Sequence, residues 1–198
     1  MCRRIKRRSR FVARLRGMNR MNRSRDMRPV RPGTSSLSTK PWGIVYTVGA
    51  EKSLRRMIRH YLGEGRPKPY CTFTGSRSLI QHSLDRARRL VGPRRIVTVA
   101  NLRHREFFRD AVRQPVPGET IYLPRGDRGT GTSVFYALAH IIEQDPNATV
   151  LLLPADHFVY PEERFFNYVR YAQQFVASHP SRIAVLGAIP DRPEPGYG

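Results

Sequence analysis

Cysteine is almost missing from this 198-residue chain. Cys2 and Cys71 are the only two, too few for a disulfide framework and without metal-ligand spacing. Cys2 also falls in an extremely basic leader, so a reducing, cytoplasmic setting is expected rather than a structural disulfide. Long apolar runs are missing too. None approaches the ~18–20 residues of a membrane span, so no membrane partner is expected. The leader lacks the apolar segment of a secretory signal. Acidic residues are scarce, 15 against 36 Lys and Arg, for a formal charge of +21. No internal repeat is present. What remains, at 39% hydrophobic, has the composition of one folded domain.

The charge is concentrated at one end. Residues 1–40 hold 14 Lys and Arg and a single acid, Asp26, whereas 41–198 hold 22 against 14. Self-repulsion and few apolar groups predict a disordered leader over 1–40, followed by a domain over 41–198. The leader has three readings: a polyanion-binding arm acting through phosphate contacts, an organelle-targeting segment, or an incidental extension with Met18, Met21 and Met27 as alternative starts. Only Phe11 interleaves with its charges, so it offers no stacking platform for single strands. Nucleic acid is expected as a partner only through this leader.

From residue 41 onward strand and helix patterns alternate. Strands are predicted at Ile44–Val48, Arg95–Ala100, Thr120–Leu123, Thr149–Leu153 and Arg182–Leu186, with a short extended piece at Tyr70–Phe73. Helices are predicted at Glu51–Leu62, from Ser78 to about Leu90, at Arg103–Arg113, Thr132–Glu143 and from about Pro161 to Ser178. Ser78-Leu79-Ile80-Gln81 has capping-box form, and Gly92-Pro93 ends the helix it opens. Such alternation predicts a doubly wound, mostly parallel sheet with helices on both faces.

The run Thr149-Val150-Leu151-Leu152-Leu153 reads as a strand buried on both faces, stopped by Pro154. Asp156 follows at once, where open α/β sheets bind ligands. A carboxylate there can hold Mg²⁺ while substrate phosphates fill other positions; equally, Asp is a common turn or N-cap residue. His157, beside Phe158, reads as a packed or capping residue. The loop Gly63–Tyr70 carries Arg66 and Lys68 between glycines and prolines. Lys68 can neutralise phosphate charge in a transition state, though a solvated basic loop reads as well. Leu123–Ser133 brings small residues, hydroxyls and Arg125 and Arg128 to a helix start, with Thr132 or Ser133 as N-cap. The first strand-to-helix turn, Thr47–Ser53, holds one glycine, Gly49, and by itself reads as an ordinary turn.

Taken together these pieces resemble the sugar-phosphate nucleotidyltransferases, most closely the mannose-1-phosphate guanylyltransferases, also called GDP-mannose pyrophosphorylases. The resemblance is carried by Arg66-Pro67-Lys68, Gly75 to Arg86, Arg128-Gly129-Thr130, Leu153-Pro154-Ala155-Asp156-His157 and Pro193-Glu194-Pro195-Gly196-Tyr197-Gly198. These match, in order, the family's R-P-K, T-x-L-Q-x-T-x-x-R-like helix, R-[ND]-T, L-P-[AS]-D-H and P-E-x-G-Y-G. Each motif is weak, but five in order are fairly specific, and the match runs from about Gly43 to Gly198.

The resemblance implies a Rossmann-like sheet of the nucleotide-diphospho-sugar transferase type, incomplete at its C-terminus. It implies a Mg²⁺-dependent enzyme that joins GTP or another nucleoside triphosphate to a sugar 1-phosphate, giving a GDP-mannose-type nucleotide-sugar and pyrophosphate. Asp156 would be the Mg²⁺ ligand and Lys68 the lysine near the phosphates. Gly49, Arg128 and Thr130 would line the nucleotide pocket, and Glu194 and Gly196 would lie near the sugar. The sequence departs from the family in its first loop, G-G-x-G-T-R-L-x-P, which falls on Val48 to Arg56. Glu51 stands for a glycine there and Ser53 for the arginine. Two alternatives follow: an impaired, truncated homologue that binds nucleotide or a partner without turnover, or a polyanion-binding protein acting through residues 1–40.

Overall fold

The structure is a computed structural model. It describes residues 40–47, 52–63, 65–113, 115–124 and 129–189, and of Lys52, Ser53 and Arg55 the backbone. These residues all fall within the unit Gly33–Gly198. The leader other than Lys40 lies outside them.

Four strands form one sheet: β1 (Trp42–Tyr46), β2 (Ile96–Asn101), β3 (Glu119–Leu123) and β4 (Val150–Pro154). All neighbours run parallel in the order β3-β2-β1-β4, with Ile44 opposite Val97 on one side and Leu152 on the other. A parallel connection needs a crossover, which helices supply. They are α1 (Lys52–Leu62), α2 (Leu79–Val91), α3 (Arg105–Val112), α4 (Gly129–Gln144) and α5 (Glu162–Ser178).

Alternate side chains of a strand face opposite sides, and the core divides accordingly. Val45, Ile96, Ala100 and Leu153 pack with Ile80, Leu84 and Ala87 of α2 and with Phe108 and Val112 of α3. Trp42, Ile44, Val97 and Val99 pack with Ala137 and Ile141 of α4. The doubly wound expectation is therefore met. Ser78 caps α2 as its sequence predicts, with the reciprocal bonds to Gln81 both in place. Trp42 Nε1 and Arg95 both donate to Asp145, each at 3.2 Å, which fastens the start of β1 to the chain just after α4.

Several expected elements differ. β4 is not buried on both faces: within the described sheet it is an edge strand, and Leu152 is 45% exposed. An apolar run reports burial tendency but not lateral order in the sheet. The strand expected at Arg182–Leu186 does not form, and residues 182–189 carry no regular structure. Ile183 and Val185 stand 90% and 86% exposed there. Strand preference is realised only against a ladder partner, and this segment makes no ladder with β4 although it lines the same groove.

Of the extended piece expected at Tyr70–Phe73, Tyr70 instead closes a 3₁₀ turn, Lys68–Tyr70, and residues 71–73 carry no regular structure. The helix expected at Arg103–Arg113 opens as a 3₁₀ turn, Leu102–His104. α4 begins at Gly129, so Thr132 and Ser133 lie inside it rather than capping it.

Candidate functional site

The sheet order reverses beside β1. The chain proceeds outward from β1 through β2 to β3, then returns to place β4 on the other flank. At such a switch point the connections leave in opposite directions and open a crevice at the C-terminal ends of the strands. β1 ends at Tyr46 and β4 at Pro154, which are register partners, and Ala155 N–H adds one more bond to Tyr46 O at 3.0 Å. The chain then turns, and Asp156 stands at the crevice.

Lys68 reaches the same place from the other direction. Its Nζ donates to Asp156 Oδ2 at 3.1 Å, and both side chains are 23% exposed. The loop that carries it is held from beneath. Tyr70, 1% exposed, sits in an aromatic nest of His104, Phe107 and Phe108. Its hydroxyl donates to Thr47 Oγ1 at 3.1 Å, and Thr47 Oγ1 donates to Val99 O at 3.2 Å. Burial pushes the Tyr70 phenol up to about 12, only partly offset by the bond to Thr47. The buried Cys71 thiol donates to the carbonyls of Arg66 and Pro67. The loop is thus fixed two and three residues past the lysine it presents.

Two of the sequence-derived candidates are therefore brought together, Lys68 and Asp156. Thr130 lies exposed in the first turn of α4, the helix that follows β3 and so starts at the same C-terminal edge of the sheet. Gly49, Arg128, Glu194 and Gly196 lie outside the described residues, as do Glu51 and the Ser53 side chain. The His157 side chain is 63% exposed, not packed, and its Nε2 is 4.0 Å from Asp156 Oδ1.

Residues given no role by the sequence also belong here. Tyr46 is half-buried at the end of β1, and its pKa is raised by burial and further by the Asp156 charge. The sequence predicts a strand running on to Val48, so it does not mark Tyr46 as the strand's end. Ser83 and Arg86 of α2 lie beneath the Asp156 turn. A groove of about 750 Å³ runs along the outer side of β4, between Leu151–Pro154, Val169 of α5 and Ile183–Leu186. It touches Tyr46 and His157 but neither Lys68 nor Asp156. Among the described residues no helix is long and apolar enough to cross a membrane.

This geometry can be set against known proteins. The chain is 29% identical over 134 residues to a mannose-1-phosphate guanylyltransferase of Salmonella montevideo, covering 67% of this chain and 27% of that one. It is 29% identical over 159 residues to mannose-1-phosphate guanylyltransferase RfbM of Salmonella typhimurium, covering 78% of this chain and 32% of that one. It therefore spans about a third or less of these relatives' length. The crystal structure of mannose-1-phosphate geranyltransferase from Thermus thermophilus shares the fold, with a TM-score of 0.57 at 24% identity over 69% of this chain and 38% of that one. The sequence pattern of the family described as nucleotidyl transferase matches residues 61–198. That match takes in both the lysine loop and the aspartate turn, and the chain belongs to the nucleotidyl transferase family.

Proposed function

We propose that the chain transfers a nucleotidyl group, guanylyl foremost, from GTP or another nucleoside triphosphate to a sugar 1-phosphate of the mannose 1-phosphate type. The observation that carries this reading is the Lys68–Asp156 pair, 3.1 Å apart at the switch point of a nucleotidyl transferase chain. In the reaction an oxygen of the sugar 1-phosphate attacks the α-phosphorus. The bond from that phosphorus to the bridging oxygen breaks, and pyrophosphate leaves. Little covalent work falls to the protein; positioning and charge neutralisation supply the acceleration. Lys68 places a cation where negative charge gathers, on a loop fastened by the packing of Tyr70 and Cys71. Arg128 and Thr130 are assigned to the nucleotide together with Gly49, and Glu194 and Gly196 to the sugar, by sequence alone.

The donor chemistry of the turn suits a hard cation. Mg²⁺ is usually held by one or two carboxylates, with phosphates and waters completing the octahedron, and Asp156 offers one carboxylate that is reachable from the crevice. Among the described residues no three His, Cys, Asp or Glu side chains gather into an all-protein metal cage. Mg²⁺, when bound, would neutralise phosphate charge. Asp156 would hold it from the sheet edge while Lys68 pairs with the remaining phosphate charge. A cytoplasmic setting, with its supply of nucleotides, belongs to the same proposal.

The test is direct. Purified chain with Mg²⁺, GTP and mannose 1-phosphate is expected to release pyrophosphate; no release at micromolar enzyme overturns the catalytic reading of this chain. Glu51 and Ser53, where the family has glycine and arginine, favour a second reading, binding without turnover. That reading predicts saturable GTP binding by calorimetry in a preparation that releases no pyrophosphate.

A further inference from the structure

Arg86 is 2% exposed, an unusual depth for a guanidinium. It lies on the inner face of α2, three residues after Ser83, and it bonds to Ser83, to the Asp156 turn and to the start of α5. One terminal nitrogen donates to His157 O and to Ser83 Oγ, each at 2.7 Å. The other faces Glu162 Oε1, the first residue of α5, at 3.4 Å. Ser83 Oγ in turn donates to Pro154 O at 3.2 Å. Burial pulls the Arg86 pKa down, and Glu162 pushes it part of the way back up.

The turn is therefore fastened at both ends to one helix. Pro154 O is held by Ser83, and His157 O by Arg86, while Ala155 N–H is held by Tyr46 O. Asp156 is the residue between these anchors. A fork of fixed geometry spans several acceptors at once, which a lysine ammonium does not reproduce.

Resting on the functional reading given above, we infer that Arg86, through Ser83 and Glu162, is the positioning residue for Asp156. It sets the place of the carboxylate relative to Lys68 and touches no substrate itself. Loss of the fork lets the turn relax away from α2, and the carboxylate moves with it.

The chain contains four lysines, Lys6, Lys40, Lys52 and Lys68, so protein labelled with ε-¹³C-lysine gives few signals to resolve. The Lys68 signal is identified by its disappearance in Lys68→Met, and its response to the carboxylate is calibrated with Asp156→Asn. In Arg86→Met the Lys68 signal is expected to move in the direction set by Asp156→Asn, by at least half as far. Arg86→Lys is expected to recover only part of that shift. In the same variants kcat falls, approaching the roughly 10²-fold loss that about 1 Å of misplacement brings, while KM for GTP changes far less. If Arg86→Met does not fold, Ser83→Ala takes its place and is read the same way. A folded variant whose Lys68 signal stays at the wild-type position overturns the inference, and so does one that keeps full kcat. If wild-type protein releases no pyrophosphate, the spectroscopic comparison still decides the role of Arg86, so failure of the activity and failure of this inference are told apart.

Discussion

Lys68 and Asp156, 88 residues apart in the chain, meet at 3.1 Å across the crevice where the sheet order reverses. The pair is partly exposed, which limits its worth to folding, because partly solvated ion pairs typically contribute about 1 kcal/mol or less. Its value to a reaction that gathers phosphate charge is larger, since one preorganised electrostatic partner is worth roughly 10²-fold or more. Lys68→Met and Asp156→Asn are therefore expected to lower kcat/KM by about that factor. Thermal melts, read by circular dichroism, should stay within a few degrees of wild type. A large loss of melting temperature with unchanged kcat/KM would make the pair structural.

The Tyr70 phenol carries a prediction at alkaline pH. In the folded chain it stays neutral up to about 12, whereas its ordinary value is 10.0. The folded state thus prefers the protonated form, and the stabilisation is complete below the unfolded value. It is lost as pH rises from 10 through about 12, an interval that corresponds to about 2–3 kcal/mol. Tyr70→Phe removes the ionisation, so its urea midpoint should fall less steeply than wild type across that window. At neutral pH the variant loses the bond to Thr47, about 1 kcal/mol. Parallel curves for the two proteins above pH 10 would show that Tyr70 does not govern the alkaline transition.

Gly118 and Gly63 form a matched pair, both with φ of +72°. A Cβ on Gly118 would stand 2.0 Å from Ile96 O, in the backbone of β2, whereas a Cβ on Gly63 meets nothing within 4 Å. The left-handed conformation alone costs about 1–2 kcal/mol. Gly63→Ala is expected to show about that loss, and Gly118→Ala roughly 3 kcal/mol or more, because the neighbour is backbone and cannot yield. Equal losses in chemical denaturation would place the whole cost in the dihedral angle.

The first loop supplies a gain-of-function prediction from sequence register. Glu51 brings negative charge to a position where the family has glycine, and Ser53 lacks the bidentate fork of an arginine. Glu51→Gly with Ser53→Arg is expected to tighten GTP binding by about tenfold or more, the scale of one charge-assisted hydrogen bond. Calorimetry showing no gain would move the loop out of that register.

Much of this architecture is legible in the sequence. Short apolar runs alternate with segments of helical spacing, and Ser78 with Gln81 announced a helix start that the chain adopts. Asp156 was marked by the breaker that ends an apolar run. Lateral order was not legible. Nothing in Val150-Leu151-Leu152-Leu153 distinguishes an edge from a centre, because pairing partners are distant in sequence. Arg86 was legible as the arginine that ends the helix motif, but its burial was not, because it sits among the charged Asp85, Arg88 and Arg89; in the structure it lies on the stripe with Ile80, Ser83 and Ala87. Tyr70 was similarly masked by a loop of glycines and prolines whose rigidity comes from packing beneath it.

The flank of β4 has a practical consequence. Beyond it, within the described residues, no strand offers a ladder, and Leu152, Ile183 and Val185 turn methyl groups to water. Backbone groups and aliphatic side chains presented together are a template for self-association. Turbidity, sedimentation and apparent melting temperature of this chain will consequently vary with protein concentration. Leu152→Lys, by placing a charge on that flank, should weaken the dependence and leave the Lys68–Asp156 crevice on the far side of Pro154 unaltered.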